Sequence, residues 1–246
     1  MILIHGAWHG GWCWVRVAPL LEAAGYTVST PTLPGHGTLP SLLLKKITLR
    51  AYANAIGDIL TYLSEPAILV GHSVVGGIVL HEAAERWPER IEQLIYVSAL
   101  MPPRGSTAME LIALNTADPA PLERAMHIDQ QRSICTLKPT LVGELFYHDC
   151  RVEDIAYARN HLCPQALVPL LTPVETTEAR FGRIPRSYIQ CLNDRVLSLD
   201  MQQAMCQEYP CLVRQLHSGH SPFLSQPECL VEAILDLAAT THELVL

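Results

Sequence analysis

The stretch Val70-Gly71-His72-Ser73-Val74-Val75-Gly76-Gly77 leads from an apolar run into a segment with helical character. A serine on a sharp strand-to-helix turn is pushed clear of the sheet, where its hydroxyl can act as a nucleophile. Small residues let such a turn fold tightly. The helix behind it offers unpaired N–H groups and a partial positive charge to an oxyanion as it forms. The usual spacing is Gly-x-Ser-x-Gly, whereas Val75 holds the last position here and the glycines follow at 76 and 77. A β-branched residue there crowds the turn. Either the turn opens slightly, or Gly76 takes over the task one residue later. A plain strand-to-helix connection is the competing reading of these residues.

A serine nucleophile needs a base, and the base needs a carboxylate to orient it. Gly219-His220-Ser221-Pro222-Phe223 follows the last predicted strand, Leu212–Leu216, and Cys191-Leu192-Asn193-Asp194 ends the predicted strand before it. Residues just past the ends of parallel strands share one edge of the sheet. His220 and Asp194 are therefore expected beside Ser73, in the chain order Ser, Asp, His. The loop His5-Gly6-Ala7-Trp8-His9-Gly10-Gly11-Trp12 follows the first run. Its glycines allow the Ala7 amide to face the same pocket as the Val74 amide, giving two donors for an oxyanion. His5 and His9 read as hydrogen-bonding residues rather than a metal pair. His217 reads as structural and Asp200 as a helix-start residue. Ser98 ends a strand but cannot serve as the acid. His72 is expected to point away across the turn, and His81 to pack or face solvent.

The elements that must position these residues alternate. Strands are predicted at Ile2–Ile4, Tyr26–Thr32, Ala67–Val70, Leu94–Val97, Ser187–Leu192 and Leu212–Leu216. Helices are predicted at Val15–Ala24 with Gly25 as stop, after an N-cap at Thr48, at Val74–Arg86, near 199–208 and at Pro227–Ala239. Continuous apolar strands separated by helices predict an open parallel sheet covered on both faces. From about 104 to 182 the rhythm changes. Pro119, Pro121, Pro139, Pro164, Pro169 and Pro173 break up short helix-like stretches with few strand signals. This reads as an inserted helical cap (104–182) in a core of residues 1–103 and 183–246.

With 246 residues, 49% of them hydrophobic, the chain can bury a core without staples. The net charge of −7 and the lack of a basic run speak against nucleic acid as a partner. No apolar stretch reaches the roughly 18 residues a membrane span needs. No secretory signal is visible at the start, and eight scattered cysteines without Cys-x-x-Cys spacing read as free thiols in a reducing cytoplasm.

Taken together, these segments resemble the α/β-hydrolase superfamily, in the branch of plant methylesterases, hydroxynitrile lyases and their bacterial esterase relatives. The likeness rests on His5 to Trp14, Gly71-His72-Ser73, Cys191 to Asp194, Gly219 to Phe223, and Leu145-Phe146-Tyr147-His148-Asp149-Cys150. It implies an α/β-hydrolase fold with Ser73 as nucleophile, His220 as base, Asp194 as its orienting acid and the Ala7 and Val74 amides as oxyanion hole. In the lyases a threonine stands where this chain has Gly6, and a lysine follows the histidine that matches His220. Ser221 stands there instead, so the resemblance implies ester hydrolysis. The expected substrate is a small carboxylic ester, held without metal or organic cofactor in an apolar pocket. Trp8, Tyr147 and Phe223 are candidates to line it, with ordinary core packing as the competing reading. Thioester, lactone or amide cleavage by the same residues stays open, as does a ligand-binding protein whose turnover Val75 impairs. A homodimer is compatible with the sequence, which specifies none.

Overall fold

The computed structural model describes residues 1–37, 41–115 and 121–245, so Pro119 lies outside the described residues. In chain order the strands are β1 (Ile2–Ile4), β2 (Ala67–His72), β3 (Ile91–Val97), β4 (Met126–Asp129), β5 (Ile134–Leu137), β6 (Gln165–Ala166), β7 (Arg186–Cys191) and β8 (Leu212–Leu216). The main sheet runs β1-β2-β3-β7-β8, and every adjacent pair is parallel. All six residues of β2 are buried, as a central strand covered on both sides requires.

Adjacent side chains of a strand point to opposite faces, and β3 shows what covers each. Gln93 donates to the Leu237 carbonyl on helix Pro227–Val245, whereas Tyr96, three residues on, meets His81 on helix Ser73–Arg86. Helices therefore lie on both faces, and the core fills the space between them and the sheet.

The helix Leu49–Tyr62 begins where Thr48 predicts it. The Thr48 side chain accepts from the Ala51 amide at 3.1 Å, and Tyr52, Ile56 and Leu60 are buried along one stripe. Gly25 ends helix Ala18–Ala23 with φ +94°, the left-handed stop expected of it.

Two expectations need correction. Tyr26–Thr32 is not a regular strand. Ser29 pairs with the sheet through a single bridge to Ile2, and Pro31, which has no amide hydrogen, stops the ladder from extending. The 104–182 segment also holds more than helices: β4, β5 and β6 form a small antiparallel sheet there. Its strands have two to four residues, too short for an alternating pattern to stand out.

The Ser29 bridge matters to the topology. The chain leaves β1 toward Ser29 on one side and returns to β2 on the other. The two crossovers therefore diverge at β1, the kind of switch point beside which open parallel sheets generally place their sites. Among the described residues no helix is long and apolar enough to cross a membrane.

His5, His9, His36, His72 and His81 are buried in this core. Burial lowers the pKa of each, to about 4 for His9 and about 3 for His81. The unfolded chain takes up protons near pH 6.5 that the folded chain refuses, so stability is complete above that pH and falls as pH drops below it. Each histidine removes up to about 1.4 kcal/mol per pH unit in that window. Denaturation at pH 7 and pH 5.5 should show a large loss at the lower pH. His81→Phe, whose ring would stack on Phe181 as the imidazole does, should cut the pH dependence by about one proton. An unaltered slope in that variant would refute the assignment.

Candidate active site

Each strand of the main sheet delivers one residue to the same edge: Ala7 beyond β1, Ser73 after β2, Ser98 after β3, Asp194 beyond β7 and His220 beyond β8. Ser73 has φ +61°, so the backbone enters the helix through a left-handed residue. For a residue with a Cβ that conformation costs roughly 1–2 kcal/mol, which the tight packing around the turn must offset. A Cβ on Gly76 would sit 2.9 Å from the Gly71 carbonyl carbon and 3.0 Å from the Ile4 oxygen. Gly76, not residue 75, therefore makes the close approach, and Val75 is wholly buried beside an intact turn. Gly6 is needed for a related reason. A Cβ there would lie 2.8 Å from that of Ser73, leaving no room for a threonine.

The Ser73 hydroxyl donates to His220 Nε2 at 2.8 Å, and His220 Nδ1–H donates to Asp194 Oδ2 at 2.7 Å. The imidazole and the carboxylate side chains are fully buried. Asp194 accepts more than this one bond. Ser98 Oγ donates to the same oxygen, and the amides of Val196 and Leu197 donate to Oδ1 at 2.6 and 3.0 Å. Four donors on two oxygens fix the buried carboxylate in orientation. The Ala7 and Val74 amides have no hydrogen-bond partner among the described residues. The Val74 amide belongs to the first turn of helix Ser73–Arg86, where N–H groups are free and the helix dipole is positive. A hydroxyl bonded to an oriented imidazole, beside unpaired amides, is equipped for acyl transfer.

His72 departs from expectation. It does not point away: its Nε2–H donates to the His220 carbonyl at 2.7 Å, and the two rings are 4.7 Å apart. Burial and the neighbouring His220 push its pKa well down, so it stays neutral. His5 donates from Nδ1 to the Gly6 carbonyl and accepts the Leu33 amide at Nε2, which occupies both nitrogens. Among the described residues no group of three His, Cys, Asp or Glu side chains is arranged to hold a metal. His217 is exposed just past β8, and Asp200 is exposed in the first turn of its helix.

The three pocket candidates are held in packing. Tyr147 is fully buried with its hydroxyl 2.6 Å from His9 Nε2. Phe223 is wedged among His72, Trp14 and His9. Trp8 is also buried but forms a wall of a cavity of about 240 Å³, together with Leu137, Val142, Leu162 and Pro164. Its left-handed backbone (φ +63°) is secured by Nε1–H donating to the Cys135 carbonyl and by its own carbonyl accepting the Cys163 amide. A larger cavity of about 910 Å³, bounded by Met101, Leu111, Leu114, Met201 and Met205, includes none of Ser73, Asp194 and His220.

Sequence reasoning missed the supporting roles of Ser98 and His72. Ser98 was visible as a strand-end residue, but only its distance to Asp194 reveals what its hydroxyl does.

Comparison with known proteins gives the family. The profile of the alpha/beta hydrolase family matches residues 1–233. The pyrethroid hydrolase of Sphingobium wenxiniae is 34% identical over 99% of this chain and 89% of its own length. Methylesterase 17 of Arabidopsis thaliana is 30% identical over 97% and 91%. The crystal structure of a pyrethroid hydrolase from Sphingobium faniae superposes with a TM-score of 0.88 at 33% identity, covering 98% of each chain. On sequence, fold and the arrangement at the sheet edge, the chain belongs to the alpha/beta hydrolase family, among its ester-cleaving members.

Proposed function

We propose that the protein cleaves a small carboxylic ester through a Ser73–His220–Asp194 triad and an acyl-enzyme. The observation that carries this reading is the continuous relay from the Ser73 hydroxyl through His220 to Asp194, with the hydroxyl raised on a left-handed turn. Ser73 Oγ attacks the ester carbonyl as its proton passes to His220 Nε2. The oxyanion is received by the Ala7 and Val74 amides. The intermediate collapses, and the leaving alkoxide takes the proton from His220 and departs as an alcohol. Water, deprotonated by His220, then attacks the acyl-enzyme, and the carboxylic acid leaves as Ser73 regains its proton.

We read residues 104–182 as a cap over this edge, with the cavity that Trp8 walls as a candidate space for the apolar part of an ester. The relatives' names support ester substrates: one is a pyrethroid hydrolase and another a methylesterase. The eight free cysteines suit a reducing compartment, which favours the cytoplasm.

Hydrolysis of a p-nitrophenyl ester series tests the assignment. Ser73→Ala should lower kcat by roughly three orders of magnitude or more, and Asp194→Asn by roughly a similar factor, through loss of the correct His220 tautomer. Turnover that persists in Ser73→Ala would end the nucleophile assignment. Ser98→Ala removes one donor from the carboxylate and should lower kcat by about tenfold, with KM little altered. Wild-type kcat in that variant would show that Asp194 needs only its backbone donors.

A further inference from the structure

The segment Phe146-Tyr147-His148-Asp149 stands out in the sequence, and the relay itself uses none of its side chains. It touches both loops on which that relay and its oxyanion donors depend. Asp149 Oδ2 accepts the Gly219 amide at 2.6 Å, one residue before His220. The contact is close: a Cβ on Gly219 would fall 2.6 Å from both Asp149 Oδ1 and His148 Cε1. Two residues earlier, the Tyr147 hydroxyl meets His9 Nε2 at 2.6 Å, and His9 Nδ1–H donates to the Ala7 carbonyl at 2.7 Å. Burial holds His9 neutral, with a pKa of about 4. Its single proton is thus committed to Ala7, and Nε2 must accept from Tyr147. The adjoining Phe146 ring packs at nearly a right angle to the His220 ring, 5.4 Å between centroids, and to the Trp8 ring at 6.0 Å.

We propose that Tyr147 and Asp149 are positioning residues. Tyr147 acts through His9 on the loop that presents the Ala7 amide, and Asp149 acts on the loop that carries His220. The inference rests on the proposed hydrolase reading and adds two residues to it. Both contacts cross from the segment between β3 and β7 to the core, so one short turn sets the distance between the oxyanion donor and the base. The turn is closed by the Cys150 amide on the Tyr147 carbonyl. Neither residue touches Ser73, and neither exchanges a proton with substrate. What they supply is alignment, which matters most in the transition state, because an error near 1 Å in such a site costs on the order of a hundredfold in rate.

The test measures kcat and KM for a short p-nitrophenyl ester with Tyr147→Phe, Asp149→Ala, Asp149→Asn and Ser73→Ala, each checked for folding by circular dichroism and thermal melting. Tyr147→Phe keeps the ring and removes one hydroxyl; it should lower kcat by about tenfold or more while KM stays within about twofold. Asp149→Ala should do the same. Asp149→Asn, whose carboxamide oxygen can still accept the Gly219 amide, should recover most of that loss. If both Tyr147→Phe and Asp149→Ala turn over at the wild-type kcat and merely melt earlier, the residues are structural and the proposal fails. It also fails for Asp149 if asparagine is no better than alanine. Should Asp149→Ala not fold, Tyr147→Phe and Asp149→Asn still decide the matter. Ser73→Ala separates the two levels. Activity surviving in it overturns the hydrolase reading, whereas an inactive Ser73→Ala beside fully active Tyr147→Phe and Asp149→Ala overturns this inference alone.

Discussion

The arrangement depends on the parallel register of the main sheet. Because β1, β2, β3, β7 and β8 all run the same way, their carboxyl ends form one edge, and whatever follows each strand is brought to it. Ser73 and His220 are separated by 147 positions in the chain and 2.8 Å in space. No local interaction could span that interval. It is the hydrogen-bond ladders from β2 through β3 and β7 to β8, with buried side chains on both faces, that hold the ends level. The chain's divergence at β1 falls at this same edge, where open parallel sheets generally bind their ligands.

Burial at this edge has electrostatic consequences. A carboxylate out of water is costly unless its oxygens are occupied, and Asp194 meets that demand with His220, Ser98 and two backbone amides. The histidines around it solve the opposite problem by staying neutral. His9 and His72 lie near His220, and a charge on either would oppose a proton arriving there. Neutral imidazoles instead serve as hydrogen-bond struts, His72 to the His220 carbonyl and His9 to the Ala7 carbonyl. One consequence is an interior that resists acid poorly, since the unfolded chain gains protons the core excludes.

The segment between β3 and β7 is tied to the sheet edge at several points. It secures the left-handed Trp8 through Cys135 and Cys163, and it contacts the His220 loop through Asp149. Strain beside the Ala7 amide is therefore restrained from outside the parallel sheet. A substitution in this segment has a physical route to the Ala7 and His220 loops.

How much was legible in the sequence follows from the range of each interaction. The Ser73 turn, the Thr48 cap, the Gly25 stop and the buried run of β2 are set by neighbouring residues, so pattern and propensity reveal them. Asp194 and His220 could be placed because a residue just past a parallel strand has few places to go. Tyr26–Thr32 has the composition of a strand, yet Pro31 allows it only a single bridge to the sheet. The two- to four-residue strands β4, β5 and β6 are pairing events that no single stretch encodes. Tyr147 and Phe223 are apolar enough for a pocket wall, and only three-dimensional packing turns them into core residues with fixed partners. The chain by itself determined which residue types stand at the strand ends and the order of the elements that carry them, because those depend on residue type and nearby spacing. Tertiary structure alone decided that Ser98 faces Asp194, that His72 turns toward His220, and that Asp149 meets Gly219. Those contacts join residues 70 to 148 positions apart, and only a closed, packed fold can measure such distances.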